Sequence, residues 1–405
     1  MEKKTSKKWI FPRHRIVRNI LHAVLKPYCK LKYHIDAEPF RAQGDRAYLI
    51  LMNHQTPFDQ FFVGISFQGP VYYMATEDIF SNGLVSRLIR WLVNPIPIKK
   101  QTTDVGAVMN AIRVAREGGT IAIAPEGNRT YSGKTEYMNP AIAGLSKKLK
   151  LPIALYRIEG GYGAQPRWSD CVRKGPMRSY VSRVIEPEEY ASMTTEELYS
   201  IIQKELYVNE GCLDNTYTSR KKAEYLERAI YVCPYCGLSS FESHGNEIAC
   251  NSCGKTVLYG DDKQLRGKDF DFPFQFVSQW YDYQQSFVNS LDLNAYCEAP
   301  MYEDRAKLSE VIVYHKKVPL RKDVSIRLYG NRIIIDEGQQ NQLTFLFPET
   351  MAVSVLGRNK LNIYHKDTVY QLKGGKRFNA LKYVNIFYRY KNISKGDING
   401  KFLGL

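Results

Sequence analysis

A chain of 405 residues with 44% hydrophobic content is too long for one ordinary core and too apolar to be disordered throughout, so two or three domains are expected. A formal charge of +16 predicts attraction to something anionic: nucleic acid, an acidic membrane face or phosphorylated substrates. No apolar run approaches the roughly eighteen residues of a spanning helix, and the N-terminus lacks the apolar stretch and small-residue cleavage site of a signal peptide.

The first element in chain order is a block at 1–34, in which Lys3, Lys4, Lys7, Lys8, Arg13, Arg15, Arg18, Lys26, Lys30 and Lys32 face one acid, Glu2. Within it Ile16, Val17, Ile20, Leu21, Val24 and Leu25 recur at helical spacing, with Trp9 and Phe11 just ahead. A basic helix with an apolar stripe and nearby aromatics suits a segment lying in an anionic membrane interface, or one packing on the domain behind it.

From about 45 to 210, short apolar runs alternate with amphipathic stretches. Ala47–Met52, Val71–Met74, Thr120–Ala124 and Leu151–Ile158 read as buried strands. Thr103 and Asp104 open a helix that Gly118 and Gly119 close; a second helix spans 139–150, and Thr194 with Glu197 forms a capping box for a third. This alternation predicts an α/β layered domain. Residues 211–230 read as a polar linker or exposed helix, and 231–260 as a cysteine-rich module. Beyond Gln275 the runs Glu310–Tyr314, Val324–Tyr329, Arg332–Asp336, Leu343–Phe347, Met351–Leu356, Lys360–His365 and Thr368–Leu372 predict strands, before a helix at 378–390. Gly-Asn at 330–331 and Gly-Arg-Asn at 357–359 mark hairpins.

Two runs carry candidate chemistry. The first is Asn53-His54-Gln55-Thr56-Pro57-Phe58-Asp59, at the end of a predicted strand. Seven histidines would give one such His/Asp pair by chance in roughly a third of comparable chains. Five residues of helix rotate about 140°, so His54 must precede the helix and fold back towards Asp59, with Pro57 suited to a first turn. Asp59 would then hold one ring nitrogen protonated and leave the other as general base, a triad whose serine is replaced by the substrate hydroxyl. The second run is Ala124-Pro125-Glu126-Gly127-Asn128-Arg129-Thr130, directly after the strand at 120–124. Glu126, Gly127 and Arg129 offer an acceptor, a close backbone approach and a phosphate fork where ligands bind α/β sheets.

Asn53-His54-x4-Asp59 followed by Pro125-Glu126-Gly127-x-Arg129 resembles the glycerolipid acyltransferases of the 1-acylglycerol-3-phosphate type. Asn94-Pro95-Ile96-Pro97-Ile98-Lys99-Lys100 is similar to that family's second block, with Lys100 where an Arg usually binds substrate phosphate. Leu151-Pro152-Ile153-Ala154-Leu155 resembles its fourth. Lys100 keeps the charge but loses the bidentate fork. The resemblance covers about 15–210 and implies metal-free acyl transfer from acyl-CoA or acyl-carrier protein to a glycerol-phosphate lipid precursor, most often 1-acylglycerol-3-phosphate giving phosphatidic acid. It implies His54 and Asp59 as catalytic residues, and Lys100, Glu126, Gly127 and Arg129 as substrate-binding. It also implies docking on a membrane through the N-terminal segment, here on the inner face from the cytoplasm.

With no export signal, the eight cysteines read as ligands or buried thiols in a reducing cytosol. Cys233-x2-Cys236-Gly and Cys250-x2-Cys253-Gly form two knuckles, the spacing of a four-cysteine zinc ribbon. One zinc ion held by four thiolates leaves no open position, so its role is structural. The remaining strands and closing helix are similar in outline to a pleckstrin-homology-like or GRAM-like barrel.

The predicted organisation is therefore a basic amphipathic membrane-docking segment (1–34), an acyltransferase domain (35–212), a linker and zinc ribbon (213–262) and a β-rich domain with a terminal helix (263–405). The rival reading is a zinc-ribbon binding protein for nucleic acid or protein, with a non-catalytic acyltransferase-like domain. Basic residues concentrate at the N-terminus, whereas Glu242, Glu247, Asp261 and Asp262 dilute them around the ribbon, so nucleic acid is not expected as the partner. A third reading keeps the chemistry but changes the acceptor to another lipid or an amine.

Overall fold

A computed structural model describes residues 8–98, 104–312, 317–397, 400 and 402. The chain forms two compact units: 1–129 with 138–161 and 176–209, and 130–137 with 162–175 and 210–405. Two short stretches, 130–137 and 162–175, thus fold with 210–405 and not with the residues on either side of them.

The first unit is built on seven strands: β1 (Ile35–Ala37), β2 (Leu49–Met52), β3 (Val71–Thr76), β4 (Ile96–Ile98), β5 (Thr120–Ile123), β6 (Ile153–Glu159) and β7 (Met177–Ile185), in the order β1-β7-β6-β2-β5-β3-β4. β2 lies at the centre, parallel to both β5 and β6, while β7 runs antiparallel to β6. All four residues of β2 and of β5 are buried, which is why both read as unbroken apolar runs.

The helices of this unit include α1 (Pro12–Tyr33), α2 (Asp59–Ser66), α3 (Leu84–Val93), α4 (Val105–Arg116) and α5 (Ala141–Leu149). The Asp104 side chain caps α4 by accepting from Ala107 N at 2.9 Å. Thr194 and Glu197 make the predicted reciprocal box at the head of the helix Thr195–Leu206. The stripe of α1 divides: Ile16, Ile20 and Val24 are exposed, while Val17, Leu21 and Leu25 are half-buried. Trp9 is not an interfacial aromatic. It lies in the core, its backbone N–H bonded to the Glu117 carboxylate.

In the second unit, 211–230 is neither a linker nor an exposed helix. Tyr217, Ala223, Leu226 and Ala229 are buried, because the segment supplies one wall of a core shared with the ribbon and the C-terminal strands. The ribbon strands Phe241–His244, Glu247–Cys250, Thr256–Tyr259 and Leu265–Gly267 form an antiparallel sheet in chain order. The C-terminal sheet has seven antiparallel strands, ordered Leu343–Leu346, Arg332–Ile335, Val318–Leu328, Tyr302–Glu310, Thr368–Gly374, Lys360–His365 and Thr350–Leu356. The closing helix, Leu381–Ser394, packs on the last of these. The first strand of this sheet ends at Glu310 rather than starting there. Its alternating Glu303, Asp304, Arg305 and Lys307 hid the small inward face of Ala306 and Leu308.

Candidate active site at the carboxyl ends of the central strands

Parallel register brings the two motifs together. Leu51 on β2 pairs with Ile123 on β5, and His54 and Glu126 each lie three residues beyond their member of that pair. The two loops therefore emerge side by side at the carboxyl edge of the sheet, where ligands bind α/β folds. Glu126 Oε1 accepts the backbone N–H of His54 at 2.8 Å. On the other flank, Asn53 gives Nδ2 to Ile158 O and takes Ile158 N–H on Oδ1, both at 2.8 Å, so its amide completes β6.

His54 lies before α2 and folds back as required. Its Nδ1 meets Asp59 Oδ2 at 2.7 Å. Asp59 opens the helix and is fully buried. A buried carboxylate needs donors, and this one also accepts Gln55 N at 2.6 Å, Thr56 N at 2.9 Å and Thr56 Oγ1 at 2.7 Å. Its place at the first position of α2 adds the favourable end of the helix dipole. Pro57 falls two residues ahead of the helix instead of inside its first turn, leaving the Thr56 N–H and hydroxyl to close the loop on Asp59.

An Nδ1–H given to Asp59 would turn Nε2 of the neutral ring into an acceptor. The His54 side chain is 24% exposed.

Gly127 is exposed with φ +68 and closes a turn through its N–H to Ala124 O at 2.9 Å. Arg129 is half-buried. Tyr33, at the end of α1, is a buried phenol whose ring lies 5.1 Å from that of Phe58. Burial raises the Tyr33 pKa most, nearby Asp59 adds to the rise, and Arg129 lowers it. Lys100 lies outside the described residues.

Three features had little warning in the sequence: the Glu126 bond to the His54 backbone, Tyr33, and Gly161. A Cβ on Gly161 would meet Gln55 Cβ at 2.6 Å and Thr56 Cγ2 at 3.0 Å, so glycine lets the end of β6 press against the His54 loop. The Gly160-Gly161 pair following a predicted strand was the only available signal.

In the second unit, Cys233, Cys236, Cys250 and Cys253 bring their sulfurs within 4.8 Å of one another and can hold a metal ion. Gly237 and Gly254, directly after each knuckle, take φ +77 and +71, the left-handed turn the motif requires.

A family match covers the part of the first unit that holds the candidate site residues. Residues 33–154 match the model of the acyltransferase family, a span holding His54, Asp59, Glu126 and Arg129. The chain carries an acyltransferase domain. A crystal structure of the 1-acyl-sn-glycerophosphate (LPA) acyltransferase PlsC from Thermotoga maritima is similar at 20% identity and TM-score 0.40, over 47% of this chain and 77% of that one. No curated protein matches the chain. Among the described residues, no helix is long and apolar enough to cross a membrane.

Proposed function

We propose that the acyltransferase domain moves a fatty acyl group from acyl-CoA or acyl-carrier protein to the hydroxyl of a glycerol-phosphate lipid precursor, with 1-acylglycerol-3-phosphate, giving phosphatidic acid, as the leading acceptor. The observation carrying this reading is the 2.7 Å His54–Asp59 pair, whose histidine is part-exposed while its aspartate is fully buried. His54 Nε2 takes the proton of the acceptor hydroxyl as its oxygen attacks the thioester carbonyl. The C–S bond breaks as the tetrahedral intermediate collapses. The thiolate leaves with a proton from the imidazolium, and no covalent enzyme intermediate forms. Asp59 steadies the imidazolium and its orientation. Arg129 and Lys100 supply positive charge for the acceptor phosphate, Gly127 allows the backbone to approach it, and Glu126 holds the His54 backbone in place.

Zinc suits the four-cysteine cluster. A tetrahedron with Zn–S of about 2.3 Å has sulfur–sulfur edges of about 3.8 Å, and Cys233 Sγ lies 3.9 Å from Cys253 Sγ. These four thiolates would close the coordination shell, so the metal would hold the ribbon together and supply no chemistry to the transfer. Basic, apolar α1 supports peripheral attachment to an anionic membrane face.

The test is transfer by the purified chain with lipid vesicles, labelled acyl-CoA or acyl-carrier protein, and glycerol-3-phosphate or 1-acylglycerol-3-phosphate as acceptor. Product should form and disappear in His54→Ala. A folded His54→Ala protein that retains substantial activity overturns the assignment of the base.

A further inference from the structure

Helix α3 half-buries Ile89, Leu92 and Val93 yet leaves more apolar surface outside than a helix that only packs on its own domain needs. Its buried residue is Ser86, whose hydroxyl donates to Ile79 O at 2.6 Å and accepts Asn82 N–H at 2.8 Å. Its outward residues are Leu84, Val85, Leu88 and Trp91, exposed by 78%, 58%, 55% and 55%. Single exposed apolar residues are ordinary, but four in a ten-residue helix form a patch that calls for a partner. The patch continues onto a neighbour. Arg13 of α1 donates to Trp91 O at 3.0 Å and lies over the Phe11 ring at 4.0 Å, and α1 carries its own exposed Ile16, Ile20 and Val24.

Charge identifies the occupant. Neither helix contains an Asp or Glu, and Arg15, Lys26, Lys30 and Arg87 are exposed on them. A second copy would set cation against cation, whereas acidic headgroups above an apolar interior match both features. We propose that α3 is a second interfacial helix, and that α1 and α3 together seat the acyltransferase domain on an anionic lipid bilayer. This rests on the membrane-attached reading above and extends it to a segment with no basic block of its own.

The four tryptophans make the test direct, since Trp9, Trp168 and Trp280 are buried and only Trp91 is exposed. The full chain is titrated with phosphatidylcholine vesicles, with and without phosphatidylglycerol, and with brominated phosphatidylcholine as quencher. Tryptophan emission should shift to the blue and be quenched on the anionic vesicles. Trp91→Phe should abolish the response while the protein still sediments with them. Leu84→Ser with Leu88→Ser should weaken partitioning by about tenfold or more. Its circular dichroism and its transfer activity in detergent micelles should stay unchanged.

Sedimentation without a tryptophan response, or wild-type partitioning by the double variant, overturns the proposal. So does a lipid-free dimer that the same double variant dissociates, because the patch would then be covered by a second copy. His54→Ala separates the two claims: it should abolish transfer and leave the Trp91 response intact.

Discussion

Replacing Glu126 tests whether the site is organised through the His54 backbone. Its carboxylate takes the His54 N–H at 2.8 Å across 72 residues of chain. A hydrogen bond to a charged group contributes about 1.5–3 kcal/mol. If all of it serves to hold His54 in its reactive position, Glu126→Ala should lower kcat by about 10- to 150-fold with little change in KM for the acceptor. Glu126→Gln keeps an acceptor oxygen and removes the charge, so it should retain activity within a few-fold of wild type. Steady-state kinetics with acyl-CoA and 1-acylglycerol-3-phosphate measure both. If Gln is as damaging as Ala, or if the loss falls on KM, the carboxylate is acting on substrate by charge and the positioning argument fails.

Gly161→Ala should insert a methyl against Gln55 and Thr56 at about 1–3 kcal/mol of strain, lowering kcat, while Gly144→Ala in α5, with nothing within 4 Å, should leave activity unchanged. Elemental analysis should find one zinc per chain, and chelation should expose four further thiols to a disulfide reagent. Cys29 should stay silent at about pH 8, since burial pushes its thiol up to about 11. In the second unit, Asp170 accepts from Arg228 Nη1 at 2.7 Å, and Arg358 lies 3.0 Å away. Burial alone would raise its pKa, but Arg228, Arg358 and Lys376 outweigh burial and hold the carboxyl below its usual value. Its stabilisation is therefore present above the ordinary Asp range and lost as pH falls through the depressed value. Asp170→Asn should cost about 1.5–3 kcal/mol near neutral pH, and thermal melts of variant and wild type should converge in acid.

The parts of the fold legible in the sequence were those with a single strong physical cause. β2, β5 and β6 sit inside a sheet covered on both faces, so continuous apolar runs marked them. The cap at Asp104 and the box at Thr194 and Glu197 are local hydrogen bonds that sequence spacing encodes. The strand at 302–310 was missed because one of its faces is open to water and its charged residues outnumber its buried ones. The buried stretch at 217–229 was missed for a related reason. Its Arg228 and Glu227 are interior and paired, so their charge misread as exposure.

The same distinction separates the two halves of the candidate site. The His54–Asp59 contact was legible because it lies within a single loop, and its only demand was that His54 precede the helix. The Glu126–His54 contact depends on which residue of β5 stands opposite Leu51, a choice fixed by sheet register and invisible to either motif alone. Once that register is given, the equal three-residue offsets make the meeting of the two loops a geometric consequence. Asp59 is saturated by Gln55, Thr56 and His54, so the loop has little freedom to form around a different arrangement. Glu126, from the neighbouring strand, then fixes the position of a ring whose orientation Asp59 has already set. A sheet that supplies both constraints from adjacent strand ends can hold one imidazole in a single place and orientation, which is what the proposed base would require.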